Sequence, residues 1–129
     1  PISLFVFMDF GYKIVQADNN AAKDNVISAS ITYAIKDTTF DSVEVKQGDY
    51  IGIVNKDIVS SNKDIKDVIN TVLDNLINND KELLTVITGE DSKQDLTEYI
   101  EEYVNTNSSI EVTVIEGNQP VYSYLFGLE

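Results

Sequence analysis

A strand, a helix and a second strand follow one another within about thirty residues, and this order constrains the fold more than any other feature. Residues 83–88 (LLTVIT) are almost continuously apolar, which is typical of a strand buried on both faces. A helix is expected to start near Ser92, and residues 109–115 (SIEVTVI) form the next strand. This segment has the length of a βαβ unit, so it predicts two parallel strands joined by a right-handed crossover.

Another helix is predicted upstream, where apolar residues recur at intervals of three and four. They form one stripe, made of Ile65, Val68, Ile69, Val72, Leu73 and Leu76. Ser61 is the expected N-cap, with Asp64 in the acidic first turn. Asn78 and Asn79 are expected to end the helix.

The remaining segments predict further strands. Residues 27–37 alternate between apolar and polar side chains, as expected of a strand with one face in water, and Asp37–Thr39 should turn the chain. Residues 50–54 and 57–60 should form a hairpin, and residues 121–126 a terminal strand paired into the sheet. The fold class is therefore α/β (or α+β), a single domain whose mixed β-sheet carries packed helices and includes one βαβ unit.

Residues 1–26 form a poorly assigned N-terminal segment. The apolar run Ile2–Met8 is either a short strand or the end of a helix that belongs to a preceding domain. The chain also begins with Pro rather than Met, which favours a processed chain or a piece of a longer one. We therefore place a junction with a preceding domain in residues 1–26 and the domain proper in residues 27–129.

The residue types that are missing argue against catalysis. The chain has no His, Cys or Trp, and all nine of its basic residues are Lys. It therefore lacks the commonest general base, any thiolate, and the guanidinium fork that clamps phosphates. No glycine-rich phosphate loop is present either. We expect a non-catalytic domain with no cofactor and no metal of its own.

The net charge of −13 restricts the partners. Such a surface repels phosphate backbones and anionic lipid, so we expect neither nucleic acid binding nor membrane insertion. The charge serves either solubility alone or the electrostatic steering of a basic protein partner.

Tyr122 and Tyr124 in the terminal strand are the first candidate contact residues. Their structural explanation is that they cover one face of the sheet, with their hydroxyl groups in water. Their functional explanation is a rigid amphipathic patch beside the turn at Pro120, of a composition that is favoured at protein interfaces.

Acidic residues of the βαβ segment are the second group of candidates. Glu90 and Asp91 follow a buried strand and precede a helix, where sites gather in α/β sheets. They either complement the helix dipole or supply oxygen ligands to Mg²⁺. Glu98, Glu101 and Glu102 form either a solvated helix face or part of the footprint of a basic partner.

Three segments, taken together, resemble a known family. They are the long run from ITYAIKD through GDYIGI to NKDIVSS, then LLTVITGED, and finally EGNQPVYSYLFGLE. In this order they resemble the C-terminal domain of the A subunit of bacterial fatty acid kinase, a dihydroxyacetone-kinase-like protein with a DegV-like C-terminal region. The resemblance covers residues 27–129, while residues 1–26 match only loosely.

The resemblance implies a division of labour within a larger cytoplasmic protein. In that family a kinase domain binds ATP and magnesium, and a middle domain links and dimerises. The C-terminal domain docks a separate acyl-binding subunit that presents a fatty acid carboxyl group for phosphorylation, and the acyl phosphate feeds phospholipid synthesis. The partners implied are that subunit, with a basic surface patch, and the kinase and linker domains of the same protein.

The leading hypothesis is therefore a docking domain whose contact surface includes the two tyrosines and the five acidic residues above. A DegV-like domain that itself binds a fatty acid remains an alternative, as does a structural oligomerisation domain.

Overall fold

A six-stranded mixed sheet lies at the centre of the fold. The structure is a computed structural model that describes residues 26–40 and 42–129. Its strands are β1 (Ile27–Tyr33), β2 (Thr38–Phe40), β3 (Val43–Val45), β4 (Tyr50–Val54), β5 (Asp57–Asn62), β6 (Leu83–Gly89), β7 (Glu111–Gln119) and β8 (Tyr124–Leu128). Its described helices are α1 (Ile65–Ile77) and α2 (Gln94–Asn107). The main sheet has the order β5-β4-β1-β8-β6-β7, and β2 pairs with β3 in a separate ribbon.

The predicted βαβ unit is present as β6-α2-β7. Strands β6 and β7 are adjacent and parallel, with Val86 opposite Val114 and Thr88 opposite Glu116. The other strand pairs of this sheet are antiparallel, so the sheet is mixed, as the sequence predicts. The α/β fold class is confirmed.

The terminal strand lies in the middle of the sheet. Strand β8 pairs antiparallel with β1 on one side and with β6 on the other, so its pairing into the sheet is confirmed. The boundary differs from the expectation, because β7 continues to Gln119 and β8 begins at Tyr124. Residues 120–123 between them form a connection.

Both described helices contact one another. The apolar stripe of α1 is buried as predicted except for Ile65, which is partly buried, and Ile100 and Val104 of α2 are fully buried with it. Burying each such side chain contributes about 1.5–3 kcal/mol relative to leaving it in water. On α2 the Tyr99 hydroxyl donates to the Asn70 side chain at 2.5 Å, which ties the two helices together.

A glycine lets α1 approach the sheet closely. A Cβ atom built at Gly52 in β4 would lie 2.6 Å from a Val72 methyl carbon and 3.0 Å from one of Val68. The helix therefore occupies the space that a larger residue in this strand would need.

The polar side of β1 is not in water, so that expectation is wrong. Ser30 and Thr32 are buried, and the Thr32 hydroxyl donates to the Val121 carbonyl at 2.7 Å. Alternation reports the polarity of the side chains, but it does not report what covers each face of a central strand. The strand also ends at Tyr33, before residue 37.

The expected turn at Asp37–Thr39 is also wrong in part. Thr38 begins strand β2, which pairs with β3 in register Thr38 with Val45. β-Branched threonines favour extended backbone, and here that preference prevails over their use in turns. The Asp37 carboxylate accepts from the Gln47 backbone at 2.8 Å and so fixes the entry to this ribbon.

Asp64, rather than Ser61, caps α1. Its carboxylate accepts from the Lys66 backbone at 3.0 Å. Ser61 is still part of β5, and its hydroxyl donates to the Asp49 carboxylate at 3.3 Å. The cap prediction fails because the helix begins at Ile65, three residues later than a Ser61 cap requires.

Replacing Asp64 by Ala is expected to lower the free energy of unfolding by about 1 kcal/mol, because a backbone N–H of the first turn loses its acceptor. Asp64→Asn keeps an acceptor and should cost only a few tenths of that amount. Urea denaturation followed by circular dichroism measures both. Equal losses in the two variants would contradict the cap assignment.

Neither described helix is long and apolar enough to cross a membrane.

Candidate functional site

Two of the three quoted segments lie against each other at the carboxyl end of β6. The Gly89 backbone N–H donates to the Ser123 carbonyl at 2.8 Å, and that of Glu90 donates to the Gln119 carbonyl at 3.0 Å. The TGED turn after β6 and the NQPVYS connection before β8 therefore form one unit. Both segments carry the family resemblance, and each provides the hydrogen-bond partners of the other.

Gly89 is the residue that permits this contact. A Cβ atom at this position would lie 2.1 Å from the Tyr122 carbonyl oxygen and 3.1 Å from those of Gln119 and Ser123. These are backbone atoms, which cannot rotate away as a side chain can. The requirement for glycine therefore comes from close backbone approach, and not from the turn conformation.

The connection between β7 and β8 contains a strained turn. The Tyr122 N–H donates to the Pro120 carbonyl at 2.8 Å, and Val121 between them has a φ of 75°. This is a γ-turn with a positive φ, a conformation that is rare for a β-branched residue. The Val121 side chain is 41% exposed, so the connection presents an apolar residue at the surface.

Both tyrosines are buried, so the expectation of an exposed tyrosine patch is wrong. Tyr124 is 0% exposed and Tyr122 is 3% exposed. The Tyr124 hydroxyl lies 3.1 Å from that of Thr97 and donates to the Lys93 carbonyl at 3.2 Å. Burial raises the pKa of Tyr124. The structural explanation therefore fits Tyr124, except that its hydroxyl reaches the start of α2 and not water.

Glu90 and Asp91 have different surroundings although both are exposed. The Asp91 carboxylate accepts from the Ser123 hydroxyl at 3.0 Å and so ties the TGED turn to the connection before β8. Glu90 instead lines a cavity. Within residues 26–40 and 42–129, no group of three or more acidic side chains is placed to hold a metal ion.

The three glutamates of the acidic face of α2 differ in their exposure. Glu98 and Glu102 are exposed, and Glu98 accepts from the Gln94 side chain at 3.3 Å. Glu101 is partly buried and lines the same cavity as Glu90. Of the five acidic candidates, the structure therefore brings Glu90 and Glu101 to one site.

The cavity lies between α2 and the carboxyl ends of β6 and β7 and has a volume of about 510 Å³. Its walls include Thr88 and Glu90 from the end of β6, Thr97 and Glu101 from α2, and Val114 and Glu116 from β7. Ligands of α/β proteins commonly bind at this end of parallel strands. The arrangement offers three carboxylates and buried hydroxyl groups, which suits a cation with several donors.

Sequence reasoning missed Glu116 and Thr88. The available signal was the predicted parallel pair, because residues opposite one another on parallel strands share a face. Without the register, however, Thr88 cannot be matched to Glu116, and a shift by one residue would have moved Glu116 to the other face.

Comparison with known proteins agrees with the resemblance of the three quoted segments. The FakA-like C-terminal family, whose members are similar to the C-terminal domain of the fatty acid kinase A subunit, matches residues 14–129. The match starts before residue 27, where the resemblance of the quoted segments begins. It includes both segments that form the unit around Gly89.

Similar curated proteins include two from staphylococci, and both are much longer than this chain. An uncharacterized protein of Staphylococcus haemolyticus (strain JCSC1435) is 38% identical over 109 residues, which are 84% of this chain. An uncharacterized protein of Staphylococcus aureus (strain bovine RF122 / ET3-1) is 39% identical over 107 residues, or 82% of this chain. The matched region spans 20% of the length of each of these relatives.

Proposed function

Because the chain belongs to the FakA-like family of fatty acid kinase C-terminal domains, we propose that it is a non-catalytic docking module of a larger protein. It docks an acyl-binding subunit that carries a fatty acid. A separate kinase domain, which holds ATP and magnesium, then phosphorylates the fatty acid carboxyl group. The acyl phosphate formed in this way supports phospholipid synthesis.

The observation that carries this proposal is a group of carboxylates without cationic partners at one end of the sheet. Within the part of the chain that the structure describes, the side-chain ion pair is that of Lys46 with Glu44, outside the cavity. Glu90, Glu101 and Glu116 line the cavity together. Acidic groups clustered in this way steer a partner with a basic patch and fix its orientation.

The same cavity gives little support to a domain that binds fatty acid by itself. A fatty acid needs an apolar tunnel and a donor or cation for its carboxylate. Three glutamates at the cavity would instead repel that carboxylate, at an energy that grows as the site excludes water.

Titration calorimetry of this chain with the acyl-binding subunit tests the docking role. We expect binding at about 0.05 M salt that weakens at least tenfold at about 0.5 M salt. The added salt shortens the Debye length and so screens the attraction between the carboxylates of this chain and the basic patch of the partner. Binding that is insensitive to salt would move the contact to an apolar surface such as that around Val121. The absence of binding at both salt concentrations, also for the full-length protein, would contradict the proposal.

A further inference from the structure

We propose that the cavity between α2 and β7 receives one basic side chain, a lysine ammonium or an arginine guanidinium, from the docked protein partner. The inference rests on the proposed docking function and names the contact that would give it specificity. Glu90, Glu101 and Glu116 supply the charge, Thr88 supplies a hydroxyl acceptor, and Val114 supplies an apolar wall.

The charge of the cavity favours a cation. Three glutamates line it, whereas the N-terminus of α2 contributes only the equivalent of about half a positive charge. Lys93 at that terminus is exposed and does not belong to the cavity wall. The negative groups therefore outweigh the positive ones by a wide margin.

The Thr88 hydroxyl is a second polar feature of the cavity. Thr88 is 8% exposed and lines the cavity, but its hydroxyl oxygen is not one of the buried side-chain atoms that lack a hydrogen-bond partner, which are those of Ser30 and Gln119 among the described residues. The hydroxyl is therefore accessible from the cavity. Since Thr88 is in register with Glu116, its side chain lies on the same face of the sheet. A donor that enters between the two strands and α2 would reach it.

The spacing of the carboxylates favours a large cation over a metal ion. No three acidic side chains of the described residues are placed to coordinate one ion, although three glutamates share this cavity. A guanidinium group has five N–H donors and an ammonium group three, so either can reach acceptors that are spread apart.

The apolar wall suits the aliphatic stem of such a side chain. Val114 is 38% exposed on β7 and lines the cavity together with the glutamates. Lysine and arginine bury their methylene groups along apolar surface while their charged ends reach polar partners. A free metal ion or an inorganic cation would leave this surface in water. A basic side chain of the docked partner fits both the apolar wall and the carboxylates.

The first test compares two double variants with the same change in charge. Glu101→Gln with Glu116→Gln removes two carboxylates from the cavity. Glu82→Gln with Glu111→Gln removes two exposed ones at the opposite ends of β6 and β7. We expect the first pair to weaken binding to the acyl-binding subunit by at least tenfold and the second to change it less than about threefold. Equal effects would overturn the cavity proposal while leaving charge-steered docking in place.

The Thr88→Val variant tests whether Thr88 contributes to partner binding without a loss of stability. It replaces a hydroxyl by a methyl group of similar shape, so the free energy of unfolding should stay the same or rise. Affinity for the acyl-binding subunit should nevertheless fall by about ten- to hundredfold, the range expected for one hydrogen bond to a charged donor. Unchanged affinity in the folded variant would remove Thr88 from the site and contradict the proposal.

A probe that does not depend on the docking partner keeps the two proposals distinguishable. ¹⁵N-labelled chain is titrated with N-acetyl-arginine amide, with N-acetyl-norleucine amide as the uncharged control. We expect saturable shifts of the amides of Thr88 and Glu101 with the arginine probe alone, and their loss in the cavity double variant. If the subunit does not bind but these shifts appear, docking fails and the cavity remains a cation site. If the subunit binds but neither arginine nor N-acetyl-lysine amide shifts these amides, the cavity proposal fails alone.

Discussion

Replacing Tyr124 by Ala is expected to lower the free energy of unfolding by about 3–5 kcal/mol, the usual cost of truncating a buried aromatic residue. Its ring is fully buried and stacks on Phe126 with a centroid distance of 6.3 Å. Its hydroxyl reaches the Lys93 carbonyl at the start of α2. Truncation therefore leaves a cavity and removes the hydrogen bond that joins β8 to the start of α2. Thermal and urea denaturation measure the loss.

Two variants serve as controls for Tyr124→Ala. Tyr33→Ala removes the same atoms from a side chain that is 43% exposed, and should change stability by about 1 kcal/mol or less. Tyr124→Phe keeps the ring and loses only the hydroxyl, at a cost of about 1 kcal/mol. If Tyr124→Phe weakened partner binding while leaving stability unchanged, the residue would belong to the interface after all.

Replacing Gly89 by Ala is expected to lower the free energy of unfolding by about 2–3 kcal/mol, because the new methyl group overlaps backbone. The nearest atom, the Tyr122 carbonyl oxygen, would lie 2.1 Å from it. To remove this overlap, the connection before β8 must move away from β6, which breaks the hydrogen bond from Gly89 to Ser123. Partner binding should weaken as well, since the same movement changes the wall next to Glu90.

Gly127→Ala is the matched control for Gly89→Ala. Gly127 also lies in a strand of the main sheet, but nothing lies within 4 Å of the position that its methyl group would take. We expect a change of less than about 1 kcal/mol, because alanine also restricts the unfolded chain. Similar losses at both glycines would contradict the close approach inferred at Gly89.

Local patterns were sufficient to predict the elements that organise the fold. The stripe of α1 and the βαβ segment depend on side-chain spacing along the chain, and both predictions are confirmed. The apolar content of the terminal strand predicted that it pairs into the sheet. In the structure this strand, β8, lies between β1 and β6. Such features are encoded by neighbours in sequence, so they can be recognised before any tertiary contact is known.

Features that depend on distant segments could not be predicted in this way. The sequence around Tyr124 left open both a role in covering the sheet and a role in partner contact, because nothing in its neighbourhood shows that α2 covers it. The pairing of Thr88 with Glu116 depends on the register of two strands that are joined only through a helix. The need for glycine at position 89 depends on carbonyl groups about thirty residues further along the chain. The candidate site is therefore largely a product of tertiary structure.

The most direct measurement is amide chemical-shift mapping of the ¹⁵N-labelled chain during titration with the unlabelled acyl-binding subunit. The docking account predicts that the largest shifts surround the cavity, at Thr88, Glu101 and Glu116, and that those at Glu82 and Glu111 stay small. Shifts concentrated at the opposite ends of β6 and β7, or on the β2–β3 ribbon, with none around the cavity would contradict docking at the cavity, and the absence of shifts at saturating subunit would contradict docking itself.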